Sequence, residues 1–265
     1  MTAGASGNRA ASARTRCRNA PRLSGCAPQN KSSSSSPANN SDAPSKNAAT
    51  VMDNHQQKPR GKFKEPGRMT AHPDNRAFSR PPVHTLLPYP PGGHAQTLAR
   101  DWLAQQLQYP ADQLPLYRDA RGRPRLAAPL ADIDINWSHS GEKLLVVHGK
   151  NIQLGCDLEY IRPRPNALKL ARRFFHPQEA DWLANLSPSE QETAFLHLWC
   201  AKEAILKAHG HGLSFGLEKL CLSPAPTGLY LKACHPDLGK AGDWQLSSFS
   251  PTPGYWAAMA WREAG

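Results

Sequence analysis

The run SPSEQETAFLHLWCAKEAILKAHG at residues 187–210 constrains the chain most. It reads as one long helix, with Ser187 or Ser189 placed to cap its start and Gly210 its end. Trp199, Glu203 and Lys207 fall four apart and share one face, and Lys202 lies three beyond Trp199. Some thirty residues upstream, LGCDLEY at 154–160 reads as a strand. Residues two apart on a strand point the same way, so Asp157 and Glu159 project together. Packing the helix face on that strand would gather three carboxylates in one place. Burying like charges is costly unless a cation lies among them. A dense set of hard oxygen ligands suits Mg²⁺, which keeps waters and takes further ligands from a substrate phosphate. Lys207, one turn beyond Glu203, is placed to meet that phosphate as a point charge. Taken singly, an acid pair on a strand or a Lys–Glu pair on a helix describes an ordinary solvated surface, so it is the joint pattern that points to a site.

Charge divides the chain. Residues 1–83 carry 14 Lys and Arg against 4 Asp and Glu, whereas residues 84–265 carry 18 against 17. Of the formal net charge of +11, the first segment therefore carries +10, and a near-neutral body argues against a nucleic-acid-binding domain. The first segment is rich in Ser, Pro and Asn and lacks apolar periodicity, which predicts a disordered tail over 1–83. Four readings of it stand: a basic arm for RNA or membrane, an organellar presequence, a plain flexible extension, or an artefact of start-site choice, with Met52 and Met69 as internal alternatives. No apolar run approaches a membrane span. The cysteines, at 17, 26, 156, 200, 221 and 234, form no C-x-x-C pair, so zinc-ribbon and thioredoxin-type motifs are not supported. Scattered thiols suggest a reducing, cytoplasmic compartment.

From residue 84 the sequence is patterned. HTLLPY predicts a short strand and PPGG a turn. Residues 94–107 read as a helix with Leu98, Trp102 and Leu103 on one face, and DARGRPRL at 119–126 as a basic loop. The run from Asp132 to Ile161 alternates as strands, broken by a polar SHSGEK segment and a GKN turn. Residues 166–175 and 177–185 read as helices, the second opening on Pro177. After the long helix, four short strands predict an antiparallel sheet. The fold class is α+β, helices packed on antiparallel strands.

GCDLE (155–159) followed by WCAKEAILK (199–207) resembles the G-x-D-x-E and W-x-x-K-E-A-x-x-K signatures of the 4′-phosphopantetheinyl transferases, in their two-lobed, surfactin-synthetase-activating class. NWSHS (136–140), FFHPQE (174–179) and GHGLS (210–214) resemble further family segments in the same order. The resemblance implies two pseudo-symmetric lobes, at 84–152 and 153–265, the first shortened and without the long helical segment usual ahead of the adenine-side arginine. It implies transfer of the phosphopantetheine arm of coenzyme A to a serine of an acyl- or peptidyl-carrier protein, with release of adenosine 3′,5′-bisphosphate, by a monomer in fatty-acid or secondary-metabolite synthesis. Carried over by residue, Asp157, Glu159 and Glu203 would hold Mg²⁺, or Mn²⁺ in its place, and Lys207 would neutralise phosphate charge. Ser138 and His139 would meet the nucleotide end, Arg123 and Pro124 would lie beside adenine, and Arg100 would reach the 3′-phosphate. Lys202 joins the coenzyme A contacts. Glu203 is the family's usual general base, with Glu179 or a held water as alternatives. A rival reading is a degenerate paralogue that binds coenzyme A or a carrier without transfer. Cys156 and Cys200 receive no chemistry.

Overall fold

The computed structural model describes residues 80–265. The readings made for the basic segment fall almost wholly outside the described residues. Element order is β1 (Val83–Pro88), α1 (Ala95–Gln106), β2 (Leu116–Arg118), β3 (Pro124–Leu126), β4 (Ile133–Ser140), β5 (Lys143–Lys150), β6 (Ile152–Tyr160), α2 (Ala167–Phe174), α3 (Pro177–Ala184), α4 (Pro188–His209), β7 (Leu220–Ala225), β8 (Gly228–Cys234), β9 (Gln245–Phe249) and β10 (Tyr255–Glu263), with short 3₁₀ turns between α4 and β7 and between β8 and β9.

One plan is used twice. In each lobe a strand leads to a helix, and a later antiparallel pair returns so that the last strand lies in the middle. The sheet orders are β1-β5-β4 and β6-β10-β9. Both sheets are antiparallel throughout. The sheets meet face to face. Leu145 and Val147 of β5 pack with Ile152, Leu154, Cys156 and Leu158 of β6 and with Ala257, Met259 and Trp261 of β10. The alternate β5 residues, Leu144 and Val146, turn the other way, onto Ala99 and Leu103 of α1. That is why β5 carries the continuous apolar run LLVV at 144–147: both faces of the strand are covered there.

Strand β6 is covered on both faces too, but by different chemistry. Its even-numbered residues fill the inter-sheet core, and its odd-numbered ones, Gly155, Asp157 and Glu159, turn to α4. The far side of α4 enters a second core with Phe175, Leu183, Leu220 and Leu231. The helix starts at Ser187, whose backbone N–H donates to the Glu190 carboxylate at 3.0 Å, and stops at Gly210, which adopts φ +89°.

Three expectations need correction. DARGRPRL is not a loop throughout, because Pro124–Leu126 pairs with Leu116–Arg118 as a hairpin. The SHSGEK segment does not break the strand at Ser138, for β4 runs to Ser140 before turning at Gly141. The four last strands do not form one sheet, since β7 and β8 pair only with each other while β9 and β10 join β6. Polar residues at 138–140 looked like a turn, but they lie on a strand whose polar side is buried against the other lobe.

Candidate functional site

β4 and β6 lie side by side without forming a ladder. Side chains of β4 take the place of a neighbouring strand's carbonyls. The Leu154 N–H donates to Asp134 Oδ2 at 2.8 Å, the Cys156 N–H to Asn136 Oδ1 at 3.2 Å and the Tyr160 N–H to Ser140 Oγ at 3.0 Å. Asp134, Asn136 and Ser138 are buried, and the alternation in IDINWSHS is thus a polar seam between lobes. Buried strand N–H groups must find acceptors, and these side chains supply them.

Across this seam Ser138 Oγ donates to Asp157 Oδ1 at 2.9 Å. Lys207 Nζ lies 2.6 Å from the same oxygen and 2.9 Å from Ser138 Oγ. The helix comes close enough because Gly155 has no side chain. A Cβ there would collide with the Ala204 carbonyl oxygen and the Ala208 nitrogen of α4. Glycine at this crossing is required for close approach.

The carboxylates respond to one another. Burial and the nearby Asp157 raise the Glu159 pKa, against the opposing pull of Arg164. Burial pushes Glu203 up to about 7, with Asp157 and Glu159 adding to the rise and Lys207 countering it. Burial opposes the charge on Lys207, but Asp157 and Glu203 outweigh it and hold its pKa above the usual lysine value. Burial pushes the Cys156 thiol up to about 12, consistent with an inert cysteine. Among the described residues Asp157 Oδ2 is one of five buried side-chain polar atoms with no hydrogen-bond partner. A buried, unsatisfied carboxylate oxygen beside two acids of raised pKa is the environment a hard cation would relieve. Among the described residues no group of three His, Cys, Asp or Glu side chains is placed to hold a metal ion. Asp157, Glu159 and Glu203 offer hard carboxylate oxygens, the donor type that a Mg²⁺-class ion takes.

The other expected site residues part company here. Lys202 is fully buried on the opposite side of α4, where its Nζ lies 2.6 Å from Glu179 Oε2 and donates to the carbonyls of Leu217 and Leu220 at 2.7 and 2.6 Å. It has no surface left for coenzyme A. Glu179 is sealed with it, 1% exposed, and also accepts from the Leu222 N–H at 2.7 Å, so it cannot act as the base. Arg123 does not border an open adenine site. It donates to Asp134 at 3.0 and 2.6 Å, to the Lys207 carbonyl at 3.0 Å and to the Leu154 carbonyl, which makes it a buried clamp joining β4, β6 and the end of α4. Pro124 is buried at the start of β3. Arg100 Nη1 donates to the carbonyls of Ala111 and Leu114 at 3.0 and 2.8 Å, holding the chain after α1. His139 is exposed and stacks on Tyr89 with ring centroids 4.5 Å apart, and burial and Lys207 lower its pKa. Two residues escaped sequence reasoning. Asp134, which anchors the seam, had a signal in the i, i+2 spacing with Asn136 and Ser138. Arg164, which donates to Glu159 Oε2 at 2.9 Å, had none beyond its proximity to the acid pair.

A family model described as the 4′-phosphopantetheinyl transferase superfamily matches residues 153–260, from β6 into β10. Residue for residue, the chain is 36% identical over 166 residues to a Synechocystis sp. protein provisionally named a 4′-phosphopantetheinyl transferase, covering 60% of this chain and 66% of that one. It is 32% identical over 165 residues to the 4′-phosphopantetheinyl transferase HetI of Nostoc sp., covering 62% of this chain and 67% of HetI. This chain belongs to the 4′-phosphopantetheinyl transferase superfamily. The transferase psf-1 of Bacillus pumilus is 32% identical over 123 residues, 46% of this chain and 51% of its own. The matched part of the chain thus spans about two thirds of the first two relatives. Among the described residues no helix is long and apolar enough to cross a membrane.

Proposed function

We propose that the chain moves 4′-phosphopantetheine from coenzyme A to a serine of an acyl- or peptidyl-carrier protein. The observation that supports this is the Lys207–Asp157 ion pair beside Glu159 and Glu203, acids that influence one another electrostatically between β6 and α4, in a chain whose family is named for that transfer. The carrier serine Oγ forms a bond to the phosphorus bearing the pantetheine arm. The pyrophosphate P–O bond breaks, and adenosine 3′,5′-bisphosphate leaves with the electron pair. Asp157, Glu159 and Glu203 would hold Mg²⁺. When bound, the ion would polarise the pyrophosphate and offset the charge that develops on it. Lys207 sits within ion-pair reach of Asp157 and would present its ammonium to the same phosphate oxygens. Ser138 orients Asp157 through its hydroxyl, and so acts on the acids and not on the nucleotide. The serine proton goes to Glu203 or to a water held by the acids, Glu179 being sealed away.

The degenerate-paralogue alternative is favoured by decay of the acid set, and the sequence retains all three acids and Lys207. Incubating the full chain with coenzyme A, Mg²⁺ and a panel of apo-carrier proteins tests the reading. Mass spectrometry should show at least one carrier gaining a phosphopantetheine increment on serine. A panel left unmodified, with coenzyme A still bound by the chain, would favour the binding paralogue.

A further inference from the structure

Directly after β6 the chain reads Arg162-Pro163-Arg164-Pro165. Proline on both sides restricts the backbone at Arg164 and disfavours its joining the helix that follows. Its N–H donates to the Glu192 carboxylate of α4, and its carbonyl accepts from the Ala167 N–H at 2.8 Å. The residue is therefore held at both ends by α4 and by the start of α2. Its side chain is only 11% exposed and turns back to the acid pair, where Nη2 donates to Glu159 Oε2 at 2.9 Å. Arg162, two residues earlier, is exposed.

The Arg164 Nε is buried and has no partner. Leaving a donor of a charged group unsatisfied costs about 1–3 kcal/mol or more, so native folds rarely do it without a purpose. Asp157 Oδ2, on the same strand end as Glu159, is buried and unpartnered as well. One is an acceptor and the other a donor. A divalent cation with a phosphate oxygen attached offers the complement of both.

Building on the proposed metal site, we propose that Arg164 is a shared counter-ion. It neutralises Glu159 in the absence of ligand and passes its guanidinium to the pyrophosphate when cation and nucleotide bind together. A cation arriving alone must break the Arg164–Glu159 pair and then sits beside a freed, poorly solvated guanidinium. A pyrophosphate arriving with it takes up that guanidinium, for which planar paired donors are well matched. Cation and pyrophosphate ligand therefore bind synergistically, and by linkage each raises the affinity of the other by the same factor.

The test measures Mn²⁺ binding to the full chain by the paramagnetic resonance of free Mn²⁺, with and without coenzyme A. In the parent chain coenzyme A should tighten Mn²⁺ by about tenfold or more, the ordinary range for coupled sites. In Arg164→Met, Mn²⁺ alone should bind several-fold tighter than in the parent, and the enhancement by coenzyme A should shrink to about threefold or less. Arg164→Lys, which retains the charge and the packing stem but lacks Nε, guards against a variant that does not fold. It should bind Mn²⁺ alone like the parent and still show a reduced enhancement. Unchanged or weaker binding of Mn²⁺ alone in Arg164→Met, or full coupling in either variant, would overturn the counter-ion role while leaving the metal site standing. A parent chain that binds no Mn²⁺ even with coenzyme A would overturn both.

Discussion

The two lobes follow the same plan, yet what lies between helix and sheet differs. In the first, α1 covers β4 and β5 through Ala99, Leu103, Ile135, Leu144 and Val146, an apolar contact of the usual kind. In the second, α4 crosses β6 at a glycine, and part of the buried interface is given to Asp157, Glu159, Glu203 and Lys207. Since the first lobe forms the arrangement without acids, the acids are not what the arrangement needs. Helix α4 repeats the contrast within itself. Lys202 and Lys207 lie on opposite sides, one locked to Glu179 in the core and the other facing Asp157.

The largest effect should separate those two lysines. Lys202→Met leaves Glu179 buried and unpaired, and removing one member of a buried pair costs about 3–5 kcal/mol. Denaturant unfolding should show that loss, while the transfer rate per folded molecule stays near the parent value. A stable Lys202→Met chain with lost coenzyme A binding would instead return Lys202 to the ligand site.

Gly155→Ala comes next. The methyl group has backbone on its far side, so β6 and α4 must move apart, with an overpacking cost of about 1–3 kcal/mol. Separation should also loosen Lys207 from Asp157, so transfer should fall by more than stability alone accounts for. The matching glycine-free contact in the first lobe gives the control. Ala99→Gly, at a site where the helix meets the sheet without acids, should lower stability with no extra loss of transfer per folded molecule.

The smallest effect concerns pH. His197 stacks on Trp256 with ring centroids 3.7 Å apart, and burial lowers its pKa to about 4 from 6.5. The folded state thus prefers the neutral ring. This contribution is complete above pH 6.5 and declines as the pH falls toward about 4, because the unfolded chain takes up the proton first. His197→Phe keeps the stack and removes the titration. Its stability relative to the parent should improve between pH 7.5 and pH 5 by up to about 2 kcal/mol, read from unfolding at the two values. A constant difference across that range would show that folding does not lower the His197 pKa.

Much of this was legible before any coordinates. Helical and strand periodicity placed α4, β5 and β6 closely, and the i, i+2 and i, i+4 spacing of Asp157, Glu159, Glu203 and Lys207 foretold a shared face. Other residues misled because spacing reports direction and not partner. Lys202 is one residue from Glu203, but a helix turns about 100° per residue, which carries it to the other core. Arg123 sits in a motif-like RGRP run, yet the Asp134 carboxylate and two carbonyls already use its guanidinium. On β4, Asp134 and Asn136 fit the strand pattern, but Ser138 and Ser140 fall in the SHSGEK stretch, which resembles a break because Ser, His and Gly are common in turns. Only the second sheet lying beside it makes those hydroxyl and amide groups buried acceptors.

The central claim is that Asp157, Glu159 and Glu203 together hold a divalent cation against the pyrophosphate. The direct measurement is carrier modification by the parent, Asp157→Ala and Glu203→Gln chains across a Mg²⁺ titration and in excess chelator, with melting curves alongside. The account predicts no transfer in chelator. It predicts that Asp157→Ala slows transfer by about a thousandfold, the several kcal/mol a bound metal supplies to the transition state, while the chain still folds. High Mg²⁺ should restore much of the Glu203→Gln rate if Glu203 is a ligand only, and little if it is also the base. Normal transfer in excess chelator, or an Asp157→Ala chain working at the parent rate, would contradict the account.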